Sequence, residues 1–311
     1  MNRIEIKTLA KIARENPEHH AALSRLASTF HEQLVEKAKA MDALDPQVAE
    51  WLATSGLRDG AKGDDVVGAS FAGAKAVGLK PSQTTMVLPK AVGMALGQLK
   101  KRQIGGNLGA IISKDKHILD GHHRWAAAII AGGSKPQVGG LLVDLPGQDL
   151  LKVLNIASKG LFKVRNGKPG KGSISTFTPK NTQALLEEYV EKGVGGDHPI
   201  SADEVKTILT DNFGSVEAGI QKMAANTAMV SKKVPSWAPD RKQMPVIDES
   251  KLPAAAKALT QGLINWRPPY PVEEGEPLPG AKAAAIRLAS SLPKGSDERK
   301  ALLKILKTRT G

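Results

Sequence analysis

Apolar positions in this 311-residue chain recur at helical spacing toward both ends and at strand spacing in a stretch between them. In KTLAKIARENPEHHAALSRLASTFHEQLVEKAKAMDAL the repeat predicts helices over residues 1–55, broken at Pro17. Residues 56–82, GLRDGAKGDDVVGASFAGAKAVGLKPS, are rich in Gly, Ala and Asp and predict a connector with one short helix. Asp64 and Asp65, adjacent in that stretch, read as a solvated turn ahead of a metal site.

From residue 83 the texture changes. TTMVL is β-prone, and LPKAVGMALGQLKK reads as an amphipathic helix opening at a proline. NLGAIIS predicts a strand, KDK a tight connection and HIL a second strand. GHHRWAAAIIAGG follows as a helix closed by Gly132 and Gly133, QVGGLLVDL as a buried strand, and DLLKVLNIA as a further helix. Strands and helices alternating across short links predict a small α/β domain.

The next segment, SKGLFKVRNGKPGKGSISTFTPK (158–180), has no apolar period and is broken throughout by Gly and Pro, which predicts a mobile loop. Helical periodicity returns in TQALLEEYVEKG, SADEVKTILTDNFG and SVEAGIQKMAANTAMVSKK, with Ser201 and Glu204 in capping-box spacing. Residues 234–278 hold many prolines around one Ala-rich helix and predict an extended path over the surface. GSDERKALLKILKTRTG closes as an amphipathic helix, acids in its first turn and bases in its last. The expected organisation is a helical N-terminal region (1–78), a mixed core (79–157), a basic loop (158–180) and a mainly helical C-terminal region (181–311) carrying the Pro-rich segment 234–278.

Composition narrows the class. At 41 % apolar the chain is an ordinary globular one, and at 4 % aromatic its core must be built from small and aliphatic side chains. There is no cysteine, which rules out disulfides and thiolate metal sites and fits a reducing cytoplasm. MNRIEIKTLAK lacks the apolar run of a signal peptide, and no run approaches the ~18–20 residues of a membrane span, so no membrane partner is expected.

Charge changes the picture more. Forty-four Lys and Arg against 31 Asp and Glu give a formal +13, which favours an anionic macromolecular partner. Lys159, Lys163, Arg165, Lys168, Lys171 and Lys180 fall in the 158–180 segment with no acidic residue. Two readings stand side by side: a clamp for nucleic-acid backbone with Phe162 and Phe177 to stack on bases, and a plain basic linker.

Candidate chemistry gathers in ILDGHHRWAAAII (118–130), since three of the seven histidines lie between 117 and 123. If the strand ends at Asp120 and the helix starts at Gly121 or His122, the free N–H groups of the first turn converge on one spot and form an anion site. His122, His123 and Arg124 add side-chain donors, and Arg124 can grip a phosphate with both arms of its guanidinium. Trp125, Ala128 and Ile129 form the stripe that anchors the turn to the core. Adjacent helical histidines diverge by about 100°, which makes them poor joint metal ligands. The zinc-protease HExxH pattern and a serine elbow are absent. Asp120 and His122 could share a metal if the segment were extended, and a plain helix cap is the bland alternative.

GGNLGAIISKDKHILDGHHRWAAAI resembles the core of the ParB/sulfiredoxin-like superfamily, and LKPSQTTMVLPKAVGMAL resembles its opening strand and helix. The resemblance covers about Lys80 to Ala157. It implies an α+β fold: a small mixed core flanked by helical regions. The form DGHHRW resembles ParB-like proteins described as nucleases, many of them phage-encoded, and also the free-serine kinases of the superfamily. It implies that Gly121, His122, His123 and Arg124 hold phosphate, with Gln83, Gly105, Gly106 and Asn107 near a nucleotide. Asp120, His122, His123 and Arg124 become the catalytic candidates, Asp120 as base or Mg²⁺ ligand. A nucleoside tri- or diphosphate and Mg²⁺ are the implied cofactors, nucleic acid or nucleotide the implied partner, and a bacterial or phage-infected cytoplasm the implied location. The activity implied is a nuclease or an NTP-dependent phosphotransferase; the alternative is a non-catalytic DNA-binding or phage-assembly protein using the core as a phosphate sensor.

The chain departs from the resemblance at three points. It has no Glu between Glu50 and Glu187, where related kinases place their base. The sulfiredoxin cysteine is missing, and so is the ParB Glu-Asn-X-X-Arg box, which argues against reductase chemistry and a CTP-gated clamp.

Overall fold

Along the strand Gly106–Ser113, Ile111 faces one side of a sheet while Ala110 and Ile112 face the other, and all three are buried. A sheet apolar on both faces needs a helical layer on each. That is the architecture of the computed structural model, which describes residues 49–50, 52–53, 63, 65–164, 172–196, 199–239, 247–266, 289–290 and 292–308.

Among the described residues the order is β1 (Ala69–Lys75), β2 (Lys80–Pro81), α1 (Leu88–Lys100), β3 (Gly106–Ser113), β4 (His117–Asp120), α2 (His122–Gly132), β5 (Gln137–Val143), α3 (Gly147–Ile156), α4 (Pro179–Lys192), α5 (Ala202–Phe213), α6 (Val216–Thr227), α7 (Leu252–Thr260) and α8 (Asp297–Thr308). This is an α+β fold, with one mixed sheet in the order β1-β5-β3-β4-β2. β1 pairs antiparallel to β5, β5 parallel to β3, β3 antiparallel to β4, and β4 parallel to β2. α3, α7 and the side chains of Ala49, Leu52 and Ala53 share a core with Leu119, Leu141 and Val143 on one face. On the other face α1, α2 and the trio α4–α6 pack around Ala110, Ile112, Ile118 and Val138.

Local chemistry sets the ends of several helices. Thr178, Ser201 and Ser215 accept the N–H of Asn181, Glu204 and Ala218 and so cap α4, α5 and α6. Gly133 and Gly214, both at positive φ, end α2 and α5.

Several expectations need correction. The N-terminal region does not stay helical or connector-like to residue 78, because β1 forms the sheet edge; its small residues pair through the backbone and show no apolar period. TTMVL is not a strand. Its neighbourhood spends its backbone groups elsewhere: the Ser82 and Val87 N–H groups go to histidine rings, and the Thr84 carbonyl accepts the Ile174 N–H. Asp65 is buried and its Oδ1 accepts the Trp266 N–H at 2.9 Å, so it is no solvated turn residue; Asp64 lies outside the described residues.

The described parts of the 158–180 segment, 158–164 and 172–180, are not a mobile loop. Ala157–Leu161 extends α3 as a wide turn, and Gly160 backs onto Ala49, whose carbonyl a Cβ would meet at 2.2 Å. Phe177 is fully buried in the core and cannot stack on a base. Arg165, Lys168 and Lys171 lie outside the described residues, as do the helices expected over 1–48. Within the Pro-rich segment, α7 does not run over the surface: Leu252, Ala255, Ala258 and Leu259 enter the core.

The β3–β4 turn carries a titratable cluster. Ser113 Oγ and the Gly147 N–H both donate to Asp115 Oδ1, at 2.5 and 2.9 Å, and Asp115 Oδ2 lies 3.1 Å from His117 Nδ1. His117 in turn meets the Trp237 ring edge-on at 5.2 Å. Burial raises the pKa of Asp115, but the bonds from Ser113, His117 and Gly147 with the His117 charge outweigh it, leaving the carboxyl below its ordinary 3.8. A group held low stabilises the fold above its unfolded pKa and loses that contribution as pH falls through the folded one. Asp115→Asn is therefore expected to lower Tm at neutral pH, the gap to wild type closing below about pH 4; thermal unfolding across pH checks it, and a gap that persists in acid refutes it.

Candidate phosphate site at the β4–α2 turn

β4 ends with Asp120 opposite Ile111 of β3, and Gly121 turns the chain into α2 with φ +92°. A side chain is disfavoured there on two counts: the left-handed backbone strains it, and its Cβ would stand a tight 3.3 Å from Ala110 Cα and Cβ. α2 then opens without a side-chain cap, unlike α4, α5 and α6. Trp125, Ala128 and Ile129 are fully buried, and Trp125 Nε1 donates to the Ala76 carbonyl at 2.8 Å, so the start of α2 is fixed.

The two histidines clasp the segment between β2 and α1. His122 Nε2 accepts the Ser82 N–H at 3.1 Å, and Ser82 Oγ, 3.3 Å from the same nitrogen, donates to the Ile118 carbonyl. His123 Nε2 accepts the Val87 N–H at 3.0 Å. Neighbouring positions on a helix thus send their rings to two different partners, as the helical angle requires. A ring nitrogen that accepts an N–H cannot also donate, so any donation from either ring falls to Nδ1.

Arg124 is the side chain that fills the mouth of the turn. Its Nη2 donates to Asp120 Oδ2 and to the Gly109 carbonyl, each at 3.2 Å, while its Nε is buried without a hydrogen-bond partner. The Arg124 and Asp120 side chains remain 35 % and 28 % exposed, open enough for a ligand to reach.

The Gly109 carbonyl is available because β3 bulges. Asn107 pairs with Gly139 and Ala110 with Gly140, so Leu108 and Gly109 are extra residues on β3. Gly109 has φ +61°, and its N–H donates to Asn107 Oδ1 at 3.1 Å.

Of the residues anticipated from the sequence, the structure links Asp120 and Arg124 directly, sets Gly121 beside the Arg124 guanidinium, and ties in Asn107 through Gly109. His122 and His123 reach instead to Ser82 and Val87. Gln83 is buried next to Ser82, on the histidine side. Gly105 is closed against β5, where a Cβ would stand 2.4 Å from the Gln137 carbonyl, whereas Gly106 is exposed. Lys163 pairs with Glu50 at 2.8 Å, and Lys159 sits on the wide turn after α3. Phe162 on the same turn is half-buried, with Lys251 Nζ 5.8 Å above its ring.

Ser82, Gly109 and Glu249 were missed. A glycine inside a strand is a bulge signal that could have marked Gly109. Nothing local marks the other two. Glu249 packs on Gly109: a Cβ there would stand 2.5 Å from its Cδ and 2.9 Å from its Oε1.

Among the described residues no group of three His, Cys, Asp or Glu side chains converges as a metal site, and Asp120 is engaged by Arg124. These donors do not build a Mg²⁺ cage of their own. Scans against family models, curated proteins and solved structures each returned no match to this chain.

The clasp has a measurable consequence. His122→Ala leaves the Ser82 N–H buried and unpaired and should cost about 1–3 kcal/mol of unfolding free energy. His123→Ala, at a less buried bond, should cost about 1 kcal/mol. Urea unfolding measures both, and wild-type midpoints in the two variants would mean the rings do not hold the segment.

Proposed function

We propose that this chain is a ParB/sulfiredoxin-like enzyme of phosphate chemistry, acting on a nucleotide or on nucleic acid at the β4–α2 turn. The observation that carries the reading is the uncapped start of α2 facing an open Arg124. Its first-turn N–H groups and the positive end of its dipole favour an anion, and the guanidinium adds a planar pair of donors. A site of this kind does its work by holding the phosphoryl oxygens and neutralising the charge that builds on them. The formal +13 brings polyanions to the surface. Two reactions share this chemistry, hydrolysis of a phosphodiester and transfer of a phosphoryl group from a nucleoside triphosphate. The lack of cysteine suits a reducing cytoplasm, and among the described residues no helix is long and apolar enough to cross a membrane.

The histidine clasp favours a second reading. Rings committed to main-chain N–H groups brace the turn and leave less for catalysis, as in a non-catalytic DNA-binding or assembly protein that senses phosphate.

Arg124→Ala discriminates the site from the rest of the surface. It should weaken ATP binding by about 10- to 100-fold, the worth of hydrogen bonds to a charged group. Calorimetry reads the affinity, and single-turnover assays on ATP and on a labelled oligonucleotide with Mg²⁺ separate the two reactions. An unchanged ATP affinity in the variant sinks the site; tight binding with no turnover in the wild type selects the sensor.

A further inference from the structure

An attacking oxygen at this site needs a group to take its proton, and the nearest polar groups are engaged. Asp120 is held by Arg124, and the Nε2 atoms of His122 and His123 accept backbone N–H groups. Another carboxylate arrives from far along the chain. Glu249 begins the short 3₁₀ turn Glu249–Lys251, which is pinned on both sides by the buried Ile247 and Leu252. Asp248 closes the turn by accepting the Ser250 N–H at 2.9 Å, and Lys251 lies over Phe162.

This framework lays the Glu249 side chain over Gly109, in the space a Cβ would need. Gly109 is also the residue whose carbonyl takes the Arg124 guanidinium. One bulge residue therefore touches both the anion-holding arginine and an exposed carboxylate. Among the described residues that carboxylate makes no ion pair.

We infer that Glu249 is the general base of the phosphate site. The inference rests on the reading of the β4–α2 turn as the place where a phosphate reacts. The attacking group is a hydroxyl of the acceptor or a water molecule. Its proton passes to a Glu249 carboxylate oxygen while its lone pair forms the new O–P bond. The bond from phosphorus to the leaving oxygen breaks, and that oxygen keeps the electron pair. Arg124 and the first-turn N–H groups take the charge developing on the phosphoryl oxygens. Glu249 then returns its proton to solvent.

The test uses the full chain with ATP and Mg²⁺, and in parallel a labelled single-stranded oligonucleotide with Mg²⁺. Glu249→Gln keeps the shape and removes the base. It should lower kcat by about 100-fold or more while the ATP affinity stays within about threefold, and it should flatten the acid limb of the pH–kcat profile. Gly109→Ala, which forces Glu249 aside, should lower kcat in the same direction. Active wild type with an equally active Glu249→Gln variant overturns the base and leaves the phosphate site standing. ATP affinity falling in step with kcat overturns it too, since that marks a role in binding or folding. A wild type that binds ATP without turnover overturns the base together with the enzymatic reading, and one that binds no ATP and cleaves nothing overturns the site as well.

Discussion

The bulge at Leu108–Gly109 in the central strand is the constraint on which the rest of the candidate site depends. A regular β3 would direct the Gly109 carbonyl into a ladder and place a side chain where Glu249 now lies. With two extra residues and a left-handed Gly109, the carbonyl turns toward Arg124 and the strand surface becomes bare enough for another segment to cover. Gly121 makes the complementary adjustment from the other strand, bringing the start of α2 close to Ala110. A Cβ at Gly121 would crowd the Ala110 backbone and the Arg124 guanidinium, and one at Gly109 would displace the Glu249 side chain.

That dependence explains what the sequence made legible. The pattern of β3, β4 and α2 was readable because each is local: an apolar run, a tight link, a glycine and a capped end. DGHHR stood out as a crowd of polar groups at a strand-to-helix junction, and the structure brings Asp120, Gly121 and Arg124 together at that junction. β1 was illegible for the opposite reason. Its Ala and Gly residues carry no apolar alternation, and only pairing with β5 makes ASFAGAK a strand. TTMVL had strand propensity without a free strand edge to join, and tertiary hydrogen bonds overrode it.

The roles of the histidines were hidden at longer range. Residue type and spacing say that His122 and His123 can bond, and the fold decides that their partners are main-chain donors between β2 and α1. Phe177 shows the same limit, since a residue that could have stacked on a base proved to be core. Glu249 is the extreme case: the stretch from 51 to 186 has no glutamate, and the one laid on the bulge comes from beyond α4, α5 and α6. A gap in a local motif is weak evidence against a carboxylate when distant segments can supply it.

On the proposed reading, the closed pair of Arg124 and Asp120 must yield to an incoming phosphate, and magnitudes decide whether it can. The pair joins the last residue of β4 to the first turn of α2, roughly a third exposed, with a single 3.2 Å bond between the side chains. Solvent-accessible ion pairs are worth about 0.2–1 kcal/mol. A phosphate with two charges gains charge-assisted bonds of about 1.5–3 kcal/mol each from a guanidinium, and more from the first-turn N–H groups. The buried Nε of Arg124, without a hydrogen-bond partner, adds an incentive for the guanidinium to find a better acceptor. The anion therefore wins the arginine, and Asp120 serves as a placeholder that keeps the fork oriented until it arrives. Asp120 released in this way stays close to the phosphate and repels it, which makes it a poor second base. The proton is better taken by a carboxylate that approaches from the strand side, where Glu249 lies.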